Sequence, residues 1–153
     1  MSEDNSILEK VIARFKDELV ERGLRKTPER FAILREIYTM GGHLDAEDLF
    51  LHMQKQNYRV SRATVYNTLD LLVDVDLVKK QQFGNNITLY EKSLGYRQHD
   101  HLICTQCGKV IEFCDPRIQQ TKSMVEEMIN FEISYHSLNI YGRCENCRTK
   151  KET

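Results

Sequence analysis

The chain has 153 residues, room for one sizeable core or two small domains, with 41% hydrophobic and 29% charged residues, the ordinary balance of a globular protein. No apolar run approaches the ~18–20 residues that span a bilayer, and the acidic, polar opening Met-Ser-Glu-Asp-Asn-Ser is not a secretory signal, so the expectation is a cytoplasmic protein with reduced cysteines and no membrane partner. The formal net charge of −1 excludes a general electrostatic pull on nucleic acid, so any DNA contact must rest on local charge and on motif.

In chain order, Ile7, Leu8, Val11, Ile12, Phe15 and Leu19 recur at three- and four-residue spacing and predict an amphipathic helix from about Ser6 to Arg22, closed by Gly23. Thr27-Pro28 reads as an N-cap followed by proline at the first helical position, opening a helix to about Met40 that Gly41-Gly42 stops. Asp45 caps a third helix to about Gln56, and Ser61 caps a fourth, short helix to about Asp74. Leu77 to Phe83 and Ile87 to Glu91 read as two strands around the turn Gly84-Asn85-Asn86. This is the order of a winged helix-turn-helix, expected over residues 1–90.

Within it, the helix opening Ser61-Arg-Ala-Thr-Val-Tyr-Asn is the candidate reader of a DNA major groove. Arg62 can pair guanine or phosphate, Thr64 and Tyr66 can meet thymine methyls, and Asn67 can reach adenine edges. Arg22, Arg25, Lys26, Arg30 and Arg35 form a local basic patch, Arg25 being placed to enter a narrow A·T minor groove, and Lys79 and Lys80 could touch the backbone as a wing. Residues 1–90 hold 13 basic and 14 acidic side chains, so binding requires the acids on other faces.

The chain then changes character, for all five cysteines follow residue 91. The second domain is expected over 91–153, the boundary lying near Tyr90 to Tyr96. Cys104-x-x-Cys107 and Cys144-x-x-Cys147 have the double spacing of a closed tetrahedral zinc site, one ion per subunit. Disulfides or a dithiol redox motif are the weaker readings, because nothing suggests secretion or a βαβ unit. Strands are expected over His99–Cys104 and Lys109–Phe113, a helix from Pro116, and a last strand from Phe131 to Tyr141 that delivers the second cysteine pair. The fold class is therefore α+β.

Residues two apart in a strand share a face, so His99 and His101 form an imidazole pair while Asp100 points away. Glu91, Glu112 and His43 are available to complete a shell suited to Fe(II), Mn(II), Co(II) or Zn(II). His52 reads as a helix-surface residue, and Cys114 as a small buried hydrophobe.

At these residues the chain resembles the ferric uptake regulator family, which includes iron, zinc, manganese, nickel and peroxide sensors. The resemblance runs through Gly42-His43-Leu-Asp-Ala-Glu-Asp-Leu49, Ser61-Arg-Ala-Thr-Val-Tyr66, His99-Asp-His-Leu-Ile-Cys104-x-x-Cys107-Gly-Lys-Val-Ile-Glu112-Phe113 and His136-Ser-Leu-x-Ile-Tyr-Gly142 before Cys144-x-x-Cys147. It covers about residues 20 to 148. It implies a homodimeric, metal-responsive repressor with a winged-helix domain and an α/β dimerisation domain, acting on a palindromic, A·T-rich double-stranded operator and taking no small-molecule substrate. By motif position Cys104, Cys107, Cys144 and Cys147 are the structural zinc ligands, and His43, Glu91, His99, His101 and Glu112 the regulatory ones. Tyr66 is the thymine contact and Arg25 the minor-groove base.

The family's additional metal site falls on Gln98, Asp100, Gln119 and His136, where two amides imply a weak site at most, on Asp100 and His136. Glu91 and Glu112, where peroxide sensors tend to carry Asp, favour Fe(II) activation. Asn67 and the tail from His136 to Cys147 favour the alternative, a peroxide sensor that oxidises a ligand histidine. A zinc metallohydrolase on His99, His101 and Glu112 is the remote alternative, and it leaves the DNA-reading half unexplained.

Overall fold

The computed structural model describes residues 3–84, 86–95 and 99–150. Asn85 of the expected turn, Gln98 of the additional metal set and Tyr96 at the expected boundary lie outside them. The chain divides into two compact units, Met1–Gln82 with Asn86–Tyr96, and Phe83–Asn85 with Arg97–Thr153. Among the described residues no helix is long and apolar enough to cross a membrane.

The first unit holds helices α1 (Glu3–Glu21), α2 (Pro28–Met40), α3 (Ala46–Lys55) and α4 (Arg62–Asp74), then a two-stranded sheet of β1 (Val78–Phe83) and β2 (Ile87–Lys92). The caps lie where the sequence places them. Thr27 accepts from the Arg30 amide, Asp45 from that of Glu47 and Ser61 from that of Thr64, each satisfying a helix-end donor that would otherwise lack a partner. The fourth helix is not short: α4 has 13 residues, as many as α2, and α3 with 10 is the short one.

Val11, Phe15 and Leu19 of α1 meet Ile33, Leu34 and Ile37 of α2, Leu49 and Met53 of α3, and Val65, Leu69 and Leu72 of α4 in one buried cluster. The Tyr38 hydroxyl, at the edge of this core, donates to the Leu77 carbonyl at 2.6 Å, and burial pushes its pKa up.

Glu91 falls in the first unit. It is a residue of β2, and Leu44 pairs with Tyr90 through two 2.8 Å backbone hydrogen bonds.

The second unit is a three-stranded sheet ordered β4-β3-β5, of β3 (Asp100–Cys104), β4 (Val110–Phe113) and β5 (Asn139–Gly142), with α5 (Pro116–Ile129) and the short α6 (Glu145–Thr149). β4 runs antiparallel and β5 parallel to β3. The long last strand expected from Phe131 is corrected to β5 alone, since residues 131–138 make no ladder. Asn130 in the left-handed conformation ends α5, and the following alternation of large side chains stays exposed, with Phe131 at 63% and Tyr135 at 77%. The interior of this unit is thin: among the described residues its buried apolar side chains are Phe83, Ile103, Cys104 and Cys147.

Candidate metal centres and nucleic-acid interface

The register of the parallel pair builds the cysteine cluster. Cys104 lies opposite Gly142, so Cys144, two residues further on, arrives beside the turn that holds Cys104 and Cys107. That turn closes through the Gly108 amide to the Cys104 carbonyl at 2.9 Å, and Gly108 has φ of 76°, a left-handed conformation that suits glycine. Cys144 caps α6, and Cys147 sits one turn along it.

The four sulfurs lie within 4.8 Å of one another, with Cys107 and Cys144 3.7 Å apart. That separation is far beyond a disulfide's ~2.0 Å. It matches the edge of about 3.8 Å that a tetrahedron with Zn–S bonds of ~2.3 Å requires. The Cys144 amide points at the Cys104 sulfur (3.4 Å) and, with the Cys107 amide, holds the Cys104 thiol pKa down to about 6. Cys147 is pushed up to about 12, first by its hydrogen bond to Cys144 and then by burial. Thiolates so close repel one another unless a cation joins them, and a divalent thiophilic ion fits the donor set.

The other ligand candidates form two groups, one in each unit. In the first, the left-handed pair Gly41 and Gly42 (φ 64° and 68°) turns the chain after α2, and the Leu44–Tyr90 bridge seats His43 beside β2. His43 Nε2 then lies 3.2 Å from a Glu91 carboxylate oxygen, and both side chains are nearly buried. In the second, the His99 and His101 rings stand 4.8 Å apart, edge to face. Glu112 lies opposite His101 across the antiparallel pair, its carboxylate 3.9 Å from His99 Nε2. Asp100 points to the other face, where it is buried and meets His136 Nε2 at 2.6 Å, while Gln119 is exposed on α5.

Two expectations are corrected. Cys114 is exposed rather than a buried hydrophobe, because it follows the end of β4, where the chain leaves the sheet for α5. His52 is not a bare surface residue, for its Nε2 lies 2.7 Å from Glu36 and ties α3 to α2.

On α4, the helix expected to read DNA, Tyr66 and Asn67 are exposed, and Thr64 is half-buried with its hydroxyl 2.9 Å from that of Ser61. Arg25 is exposed, its carbonyl accepting from Arg30. Arg62 has a neighbour that local sequence does not announce. Its Nε and Nη2 grip the Glu47 carboxylate at 2.7–3.1 Å, and its guanidinium lies 4.4 Å from the centre of the Phe50 ring. The ion pair lowers the Glu47 pKa and raises that of Arg62. Glu47 lies fifteen positions before Arg62, and the only sequence signal for it is an acidic residue in the first turn of the preceding helix.

A helical winged domain joined to a small α/β unit with a four-thiol cluster defines a metal-binding, DNA-binding regulator. A family model described as the ferric uptake regulator family matches residues 21–141, and the chain belongs to that family of transcriptional repressors, which are not enzymes. The peroxide-responsive repressor PerR of Staphylococcus aureus is 31% identical over 132 residues, covering 86% of this chain and 88% of that protein. The Helicobacter pylori ferric uptake regulator, described with three functional metal-binding sites, superposes with a TM-score of 0.82 at 25% identity, over 95% of this chain and 96% of that one. The Francisella tularensis ferric uptake regulator with iron has a TM-score of 0.70 at 31% identity, over 82% and 96%.

Proposed function

We propose that the protein is a cytoplasmic, homodimeric repressor activated by Fe(II), with Mn(II), Co(II) or Zn(II) as possible substitutes, that binds a palindromic A·T-rich operator. The observation that carries this reading is the His99–His101 pair with Glu112 beside it, three nitrogen and oxygen ligands of the kind that Fe(II) and Mn(II) accept. Three ligands leave a divalent shell incomplete, and His43 with Glu91 is a second incomplete set. One ion taking ligands from both sets would tie its occupancy to the arrangement of the DNA-reading helices. Without the ion, the competent arrangement is less populated and apparent affinity falls in proportion. Bound there, the ion would serve as a structural tie.

Cys104, Cys107, Cys144 and Cys147 would hold a resident zinc, which supplies folding energy rather than regulation. Pairing of two chains is supported by the apolar surface of the second unit, where Met124, Met128, Ile129 and Tyr135 are exposed over a thin interior. Tyr66 and Asn67 would read the major groove, with Thr64 beside them, and Arg25 the minor groove. Asp100 and His136 would form at most a weak further metal site.

Electrophoretic mobility shifts on a selected operator test the switch. Binding should tighten at least tenfold on adding Fe(II) or Mn(II) to chelated protein, and equal affinity with metal and with chelator overturns it. The similarity to the S. aureus peroxide-responsive repressor supports a second reading, in which the same iron promotes oxidation of a ligand histidine. Mass spectrometry after peroxide would then show an added oxygen on His43 or His99.

A further inference from the structure

The Arg62 guanidinium has two hydrogen-bonding edges, and the structure uses only one of them. The side edge, Nε with Nη2, is held by both oxygens of Glu47, at 3.1 Å from Nε to each and 2.7 Å from Nη2 to Oε1. The plane rests against the Phe50 ring, its central carbon 4.4 Å from the centroid. Nη1 forms no hydrogen bond among the described residues, so the end edge, Nη1 with the second hydrogen of Nη2, stays available. The Arg62 side chain is still 61% exposed.

A surface ion pair of this kind contributes little to stability. It does remove rotational freedom from a long side chain, so less is lost when that side chain binds something else. Arg62 is also the first residue of α4, and N-terminal residues of a recognition helix are the ones that meet base edges.

We infer that Arg62 is a guanine-reading residue, with its end edge directed at O6 and N7 of one base pair in each half-site and with Glu47 and Phe50 as the positioning residues that hold it. The inference rests on the DNA-binding reading above and adds a particular base to it. Two parallel N–H donors match the two acceptors of guanine and no other base edge in the major groove. A phosphate can also take a guanidinium fork, so the acidic neighbour, not the fork, separates reading from anchoring. Glu47 is acidic and would repel the phosphate backbone, so its place beside the arginine favours reading over anchoring.

The test is a random-sequence DNA selection with the intact metal-loaded protein, followed by affinities for single-base variants of the selected operator. Wild type should prefer guanine at one position per half-site by on the order of 10- to 100-fold. Arg62→Ala removes the guanidinium fork, and it should abolish that preference while the other positions keep theirs. Glu47→Gln should weaken discrimination at that same position roughly three- to tenfold, the cost of loosening a charge-assisted pair. An operator profile unchanged in Arg62→Ala, or a Glu47→Gln effect uniform over all sequences, overturns the inference and leaves the DNA-binding reading standing. A wild type that selects no motif overturns the DNA-binding reading itself, and the guanine contact with it.

Discussion

His101 is buried to within 3% of full, its ring 5.1 Å from that of Phe83 and 4.8 Å from that of His99. The neutral form of imidazole is the one that binds metals. Alanine at both His99 and His101 removes two nitrogen donors without opening the larger core of the first unit. The double variant should therefore melt within a few degrees of wild type. Its Mn(II) affinity should fall by more than the ~10–100-fold that losing an outer-shell partner costs, and metal-dependent DNA binding should vanish. Calorimetric titration and mobility shifts on one preparation check both. The pairing of His99 with His101, and of Asp100 with the opposite face, is legible in the sequence, because a strand's two-residue period sets it. The hold of Glu47 on Arg62 is not, since it depends on how α3 and α4 pack rather than on either helix alone.

At the scale of elements, the caps carry the most information. Ser61 accepts from the Thr64 amide at 3.1 Å and stands directly before α4, the helix proposed to read DNA. Ser61→Ala should cost about 1 kcal/mol of stability, read from urea denaturation, and should weaken operator binding as the first turn frays. Thr27, Asp45 and Ser61 are readable in the sequence because each pairs a short polar side chain with a following helical period. The stretch from Phe131 to Leu138 is misread for the converse reason. Its alternation of large side chains has the strand period, but only its last residue, Leu138, meets β3, accepting from the His101 amide, and its aromatics stay exposed. The exposed position of Cys114 is likewise set by where β4 ends, which no local pattern announces.

At the scale of the molecule, the two units differ in what keeps them folded. The first has one continuous core drawn from four helices. The second buries few apolar side chains, and none from α5, so a domain of this size needs a staple or a partner. Cys104→Ser should abolish zinc retention and unfold residues 99–150 while the first unit keeps its helices. Hydrogen exchange resolved by segment would report this as protection lost in the second unit alone, and equal loss in both would contradict it.

The Leu44–Tyr90 bridge has one more effect. Two backbone hydrogen bonds clasp the segment entering α3 against the strand that carries Glu91, so His43 and Glu91 are neighbours by main-chain design. A pair seated that way would lose little freedom on holding the proposed ion, which would favour capture at low metal concentration. On the proposed regulatory reading, the clasp would also serve as a short lever arm. His43 lies two residues before Asp45, the cap of α3, so a tug on the imidazole reaches the helix against which Arg62 is braced.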